Sequence, residues 1–170
     1  METIPGSGNW KLTIRREAAG ITILRAATCD ARARLPETLY GLPVTALGDH
    51  ALSPTAASAE GEDLLVTCGA GTDPGTWSNR DLEDLTLPRS LERVGDYALM
   101  NCGGLRTLRL HDGIGQWGGG VLMNCRRLAA FHLTRVGEQG YTLAWFADEL
   151  PWELDVTVEE TDGTVFRLLF

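Results

Sequence analysis

The chain has 170 residues, 44% apolar and 22% charged, with a formal net charge of −8. That composition suits one globular domain with a real core, and no stretch approaches the roughly 18 consecutive apolar residues of a membrane span. The acidic balance opposes a phosphate-tracking surface, because nucleic-acid binders concentrate positive charge, so neither nucleic acid nor membrane insertion is expected.

Residues 1–34 read as an N-terminal cap. Leu12-Thr13-Ile14-Arg15-Arg16 and Ile21-Thr22-Ile23-Leu24-Arg25 alternate apolar and polar positions about Ala18-Ala19-Gly20, which is the pattern of a β-hairpin. The first 20 residues lack the basic head and apolar run of a secretory leader. For the chain as given, a cytoplasmic setting is the expectation.

A repeat governs the middle of the chain, here assigned to 35–147. Leu82-Glu83-Asp84-Leu85-Thr86-Leu87, Leu105-Arg106-Thr107-Leu108-Arg109-Leu110 and Leu128-Ala129-Ala130-Phe131-His132-Leu133 start at 23-residue steps and share L-x-x-L/F-x-L. Leu91, Val94, Ala98, Leu99 and Cys102 are matched one step later by Ile114, Trp117, Val121, Leu122 and Cys125, and Leu99-Met100-Asn101-Cys102 recurs verbatim as Leu122-Met123-Asn124-Cys125. Each unit is one coil, a short strand followed by a helical or irregular return. A coil cannot bury its own apolar edge alone, so neighbours stack at the strand spacing of about 4.8 Å into a ladder of like residues. The coils are placed at 35–52, 82–104, 105–127 and 128–147. Over 53–81 the pattern fails, and two readings stand: an irregular loop, or a degenerate coil on Leu64-Leu65-Val66-Thr67-Cys68. The 47-residue interval from Leu47 to Val94, one more than twice 23, tilts the choice slightly towards the coil.

These units resemble the bacterial surface-antigen type of leucine-rich repeat, the BspA-like family, whose pattern is close to L-x-x-L-x-L-P-x-x-L-x-x-I-G-x-x-A-F-x-x-C-x-x-L. Leu82 to Leu105 follows it through Pro88, Leu91, Val94, Gly95, Ala98, Leu99 and Cys102, and Gly41-Leu42-Pro43-Val44-Thr45 to Leu52 looks like a first repeat. The resemblance covers roughly 35–52 and 82–147. It implies an α/β repeat fold, a right-handed leucine-rich-repeat solenoid with a parallel β-sheet on its concave face and hairpins at both ends. It also implies a non-catalytic protein-binding or adhesion module, and a cell-surface location in place of a cytoplasmic one. The departures are Trp117-Gly118-Gly119-Gly120-Val121 in the third repeat and decay of the fourth after Leu133, where Asp148 stands in the cysteine position. Decay of this kind marks a cap. A purely structural capping or spacer segment of a longer bacterial repeat protein is the alternative function.

Residues 148–170 read as a C-terminal hairpin cap, with Asp155–Glu159 and Thr164–Leu168 flanking Thr161-Asp162-Gly163. The final Arg167-Leu168-Leu169-Phe170 stops in mid-strand, the pattern of a polypeptide that continues. Residues 1–40 carry six Lys/Arg and four acids, residues 131–170 two Arg and eight acids, so the ends are about +2 and −6. Weak head-to-tail self-association and simple solvated caps both fit. Trp145, Phe146 and Trp152 are expected to be buried in the C-terminal cap, with an exposed docking patch as the alternative.

No catalytic, cofactor or metal constellation emerges. Cys29, Cys68, Cys102 and Cys125 include no C-x-x-C, and His50, His111 and His132 fall in different coils. Gly115 to Gly120 lacks the Lys-Ser/Thr of a phosphate loop. Cys102 and Cys125 suit buried thiols beside turn backbone, a disulfide between stacked coils being the other reading. If Leu85 and Leu87 point inward, period-2 alternation turns Asp84, Thr86, Thr107, Arg109, His111, His132 and Thr134 outward. These seven are the candidate protein-binding residues. Their mix of polar and basic groups suits a polar or acidic partner, whose identity the residues do not carry.

Overall fold

The computed structural model describes residues 2–4, 6–68, 76–136, 155–160 and 163–169. Among them the strands are β1 (Glu2–Thr3), β2 (Trp10–Glu17), β3 (Gly20–Thr28), β4 (Arg32–Arg34), β5 (Thr38–Leu39), β6 (Leu42–Leu47) and β7 (Glu62–Thr67). After a 3-10 turn at Asn79–Asp81 come β8 (Asp84–Thr86), β9 (Arg93–Val94), β10 (Thr107–His111), β11 (Gln116–Trp117), β12 (Ala130–Thr134), β13 (Asp155–Glu159) and β14 (Val165–Leu169).

The main sheet is the repeat made visible. Its order is β14-β13-β12-β10-β8-β4, and all neighbours are parallel except the β13–β14 hairpin. Leu85 pairs with Leu108 and Leu108 with Phe131, so the 23-residue step is one rung of a β-solenoid. The second sheet runs β1-β7-β2-β3-β6-β9-β11 with β5 beside β6. One buried core runs between the sheets from Trp10 to Val158, with Leu85, Leu108, Phe131 and Val156 each fully or almost fully shielded from solvent.

The expected α/β character is corrected: the described residues contain no α-helix. The return segments are stacked turns. In the second coil the N–H groups of Tyr97, Leu99 and Asn101 donate to the carbonyls of Gly119, Val121 and Met123 in the third, at 2.9–3.0 Å. His50 and Leu52 donate likewise to Asp96 and Ala98, at 2.8 and 2.7 Å. A helix would direct these N–H groups to its own carbonyls, whereas here they stitch coil to coil at strand spacing. Left-handed residues, Tyr97 (φ 55°) and Asn101 (φ 65°) in one coil and Asn124 (φ 63°) in the next, break any helical run. Asn124 Nδ2 donates to Asn101 Oδ1 at 2.8 Å, extending the ladder to side chains.

Close stacking explains the glycine column as well. A Cβ on Gly118 would lie 2.5 Å from the carbonyl carbon of Gly95, and one on Gly95 2.6 Å from that of Gly48. Both cysteines of the repeat are free thiols, buried as the repeat pattern requires. Cys102 Sγ donates to the Leu52 carbonyl at 3.5 Å and Cys125 Sγ to that of Leu99 at 3.2 Å. Removal from water pushes both thiols up, Cys125 to about 12.

Among the described residues of 53–81, the degenerate coil has no rung in the main sheet. Arg34 pairs with Thr86 in the main sheet and Leu47 with Val94 in the second, so the first two coils are direct neighbours and the near-multiple of 23 is coincidental. The intervening chain leaves the solenoid as β7, which pairs antiparallel with β2 and widens the N-terminal hairpin. Leu64 and Val66 supply its buried face. Asn79 anchors the returning chain, donating through Nδ2 to the carbonyls of Ala26 and Leu52 at 2.7 Å each and accepting the Thr28 N–H at 2.9 Å.

At the two ends, expected caps and actual rungs overlap. β4 lies inside the segment assigned to the N-terminal cap yet is the first rung, and β13 is both a hairpin strand and the fifth parallel rung. Trp10 closes the core beside β4, fully buried, its Nε1 donating to the carbonyls of Ser7 and Arg34 at 2.9 Å. The second half of the fourth repeat lies outside the described residues, as do Ala144, Trp145, Phe146, Asp148 and Trp152.

Candidate functional site

Strand alternation fixes which side chains leave the core. Leu85 and Leu87, Leu108 and Leu110, Phe131 and Leu133, and Val156 and Val158 are buried, so the residues between them face outward. Register then aligns them in rows across the strands. The central row is Arg34–Thr86–Arg109–His132–Thr157–Arg167, and the row beside it is Arg32–Asp84–Thr107–Ala130–Asp155. With strands about 4.8 Å apart, the central row from Arg34 to Thr157 spans roughly 19 Å.

A groove of about 300 Å³ lies along this face, and Arg34, Glu37, Thr86, Arg89, Arg109, His111, His132, Thr134, Thr157 and Glu159 supply its polar lining. Of the residues expected there, Thr86, Arg109, His111, His132 and Thr134 do line it. Asp84 and Thr107 sit in the neighbouring row, outside the groove. Asp84 acts through Arg109, accepting Nε at 3.2 Å and Nη2 at 3.0 Å. A partly exposed pair of this kind adds little stability but holds the guanidinium in one orientation. Arg167 and Asp155 form a second such pair, Nε to Oδ1 at 2.8 Å. His132, half-buried between the two pairs, has its pKa lowered, first by burial and then by the Arg109 charge, with Asp84 and Asp155 opposing.

His111 departs from the expected exposure, being only 4% accessible. The reason is local: β10 ends there, and the ring folds onto the following turn with Nδ1 accepting the Gly113 N–H at 3.0 Å. Burial lowers its pKa as well. Asp112 is equally buried, and its Oδ1 accepts the Val136 N–H at 2.7 Å. The His111-Asp112 pair thus shapes backbone. The glycine run does likewise: Gly118 N–H donates to the Val94 carbonyl and Gly119 N–H to Asp96 Oδ1, both at 2.8 Å. Among the described residues no group of three or more His, Cys, Asp or Glu is placed to hold a metal ion.

Arg34, Glu37 and Arg89 escaped the sequence reading, as did Thr157 and Glu159. Arg34 follows from carrying the L-x-L register back onto Arg32-Ala33-Arg34, where alanine stands in a leucine position, whereas Glu37 and Arg89 lie past the ends of β4 and β8, where alternation gives no direction. Thr157 and Glu159 required seeing β13 as a rung.

No protein-family model matches the chain, and no curated protein matches it either. Among solved structures, the crystal structure of the T. pallidum leucine rich repeat protein TpLRR is similar, with a TM-score of 0.53 and 20% sequence identity. The match covers 72% of this chain and 50% of that one, so the chain spans half the length of that protein. At this identity the likeness concerns the fold, a leucine-rich-repeat β-solenoid.

Proposed function

We propose that this chain is a non-catalytic binding module that takes a protein partner on the outer face of the main sheet. The observation that carries the reading is the central row: five consecutive parallel rungs present Arg34, Thr86, Arg109, His132 and Thr157 in register along one groove. Behind them stands a continuous apolar core that keeps the spacing rigid. Rigid placement lowers the ordering cost of binding. The BspA-like subfamily, an adhesion role and a cell-surface setting belong to the same proposal, supported by the repeat pattern of Leu82 to Leu105.

The test begins with a partner identified by cross-linking to the native chain, followed by affinity measurements on Arg109→Glu and His132→Glu. Both substitutions should weaken binding roughly tenfold or more, whereas Arg126→Glu, outside the groove, should leave it unchanged. A partner that tolerates both face substitutions overturns the proposal. A purely structural spacer or capping role is the second reading, favoured by β14, which folds back antiparallel and ends the parallel ladder among the described residues.

A further inference from the structure

The groove is charged unevenly, and its charges differ in how far they are already engaged. Glu37 is occupied by backbone, its Oε2 accepting the N–H groups of Arg89 at 2.7 Å and Ser90 at 3.4 Å. Arg109 is held by Asp84. Arg34 and Arg89, by contrast, are exposed and line the same end of the groove beside Thr86, and among the described residues neither guanidinium has a hydrogen bond or ion pair. The remaining acid of the groove, Glu159, belongs to β13, four rungs away from β4. In a chain of net charge −8, two unengaged guanidinium groups make this a local positive field inside a negative one.

We infer that the Arg34–Arg89 end of the groove anchors a carboxylate of an acidic, extended segment of a partner protein, which runs across the strands over Thr86, Arg109 and His132. This rests on the binding-face reading and adds the chemical class of the partner. Guanidinium forks match carboxylates geometrically, and Arg109 retains N–H groups beyond the two given to Asp84. The row length of roughly 19 Å is that of five to six extended residues. A nucleic-acid strand fits less well, because two free cations release too few counterions to hold a polyphosphate on an acidic protein.

The test is fluorescence anisotropy of fluorescein-labelled hexaglutamate with the full chain at low ionic strength. The double variant Arg34→Glu/Arg89→Glu should weaken binding roughly tenfold or more. Arg126→Glu/Arg127→Glu carries the same change of charge at an exposed turn outside the groove and should retain most of the affinity. Equal losses in the two double variants, no binding of hexaglutamate, or tighter binding of a twelve-nucleotide oligothymidylate (about 12 phosphates) would each overturn the inference. Self-association of the wild-type chain in sedimentation, abolished by Arg34→Glu/Arg89→Glu, would overturn it too by making a second copy the occupant. If an identified partner is lost by Arg109→Glu and His132→Glu but kept by Arg34→Glu/Arg89→Glu, the anchor falls and the binding face stands.

Discussion

Replacing Asn79 with alanine should be among the most damaging polar substitutions in this chain. The side chain is 2% exposed and holds three backbone groups from two other segments: the Ala26 carbonyl and Thr28 N–H of β3, and the Leu52 carbonyl of the first coil. Each buried backbone group left without a partner costs about 1–3 kcal/mol, so three give a floor of roughly 3 kcal/mol. The ceiling is lower than the simple product, because the Leu52 carbonyl keeps its weak bond from the Cys102 thiol. The expected loss is therefore about 3–5 kcal/mol, a large share of a typical domain's stability. Urea unfolding followed by circular dichroism measures it. Amide exchange adds a local readout, since the Thr28 N–H should lose protection before the core strands do. Asn79→Asp sharpens the test: it keeps an acceptor for Thr28 but sets a carboxylate against two carbonyl oxygens, so it should be at least as harmful at pH 7. A loss below about 1 kcal/mol for Asn79→Ala would refute the anchoring role.

Three further outcomes follow from the stacking and burial. Gly118→Ala should cost about 1–3 kcal/mol by forcing a methyl against the Gly95 backbone, whereas Gly119→Ala, which meets nothing within 4 Å, should stay within about 0.5 kcal/mol. Equal effects in urea melts would refute the close approach. The depressed pKa of His111 makes its neutral form part of the native state, so that contribution is present above the unfolded value near 6.5 and is lost as pH falls through the folded one. Stability should thus decline from pH 7.5 to 5.5, and His111→Gln should flatten the slope; an unchanged slope in the variant refutes the assignment. Iodoacetamide at pH 7.5 should modify exposed Cys68 in the folded chain and leave Cys102 and Cys125 unmodified until urea is added, as mass spectrometry of the peptides would show. Native labelling of Cys102 at the rate of Cys68 would contradict the stacked core.

The rungs at 85, 108 and 131 were legible because each repeats the same inward positions, and a buried column tolerates few residue types. The same logic explains the misses. Ala33 and Val156 occupy that column too, but without leucines the first and fifth rungs read as parts of hairpins. The excursion over 53–81 was misleading because a chain that leaves the solenoid and returns need obey no period, and its length lay near one repeat by chance. Asn79 carries no periodic signal at all; a lone amide in a polar stretch reads as loop until three backbone groups from distant segments converge on it.

The candidate face shows the same division between what a pattern encodes and what only stacking creates. Alternation alone put Thr86, Arg109 and His132 outward, because a strand has two sides and the leucines claim one. His111 obeyed a different constraint: at a strand's last residue the chain turns, and the side chain follows the turn instead of the pleat. Arg34 and Arg89 are 55 residues apart in sequence and share the groove only because the first two coils stack directly, with the excursion looped out between them. The unengaged charge at that end is therefore a property of the register between β4 and β8. A substitution that shifts this register, such as a bulky residue at Ala33, whose partner Leu85 is fully buried, should abolish the charge arrangement without touching either arginine.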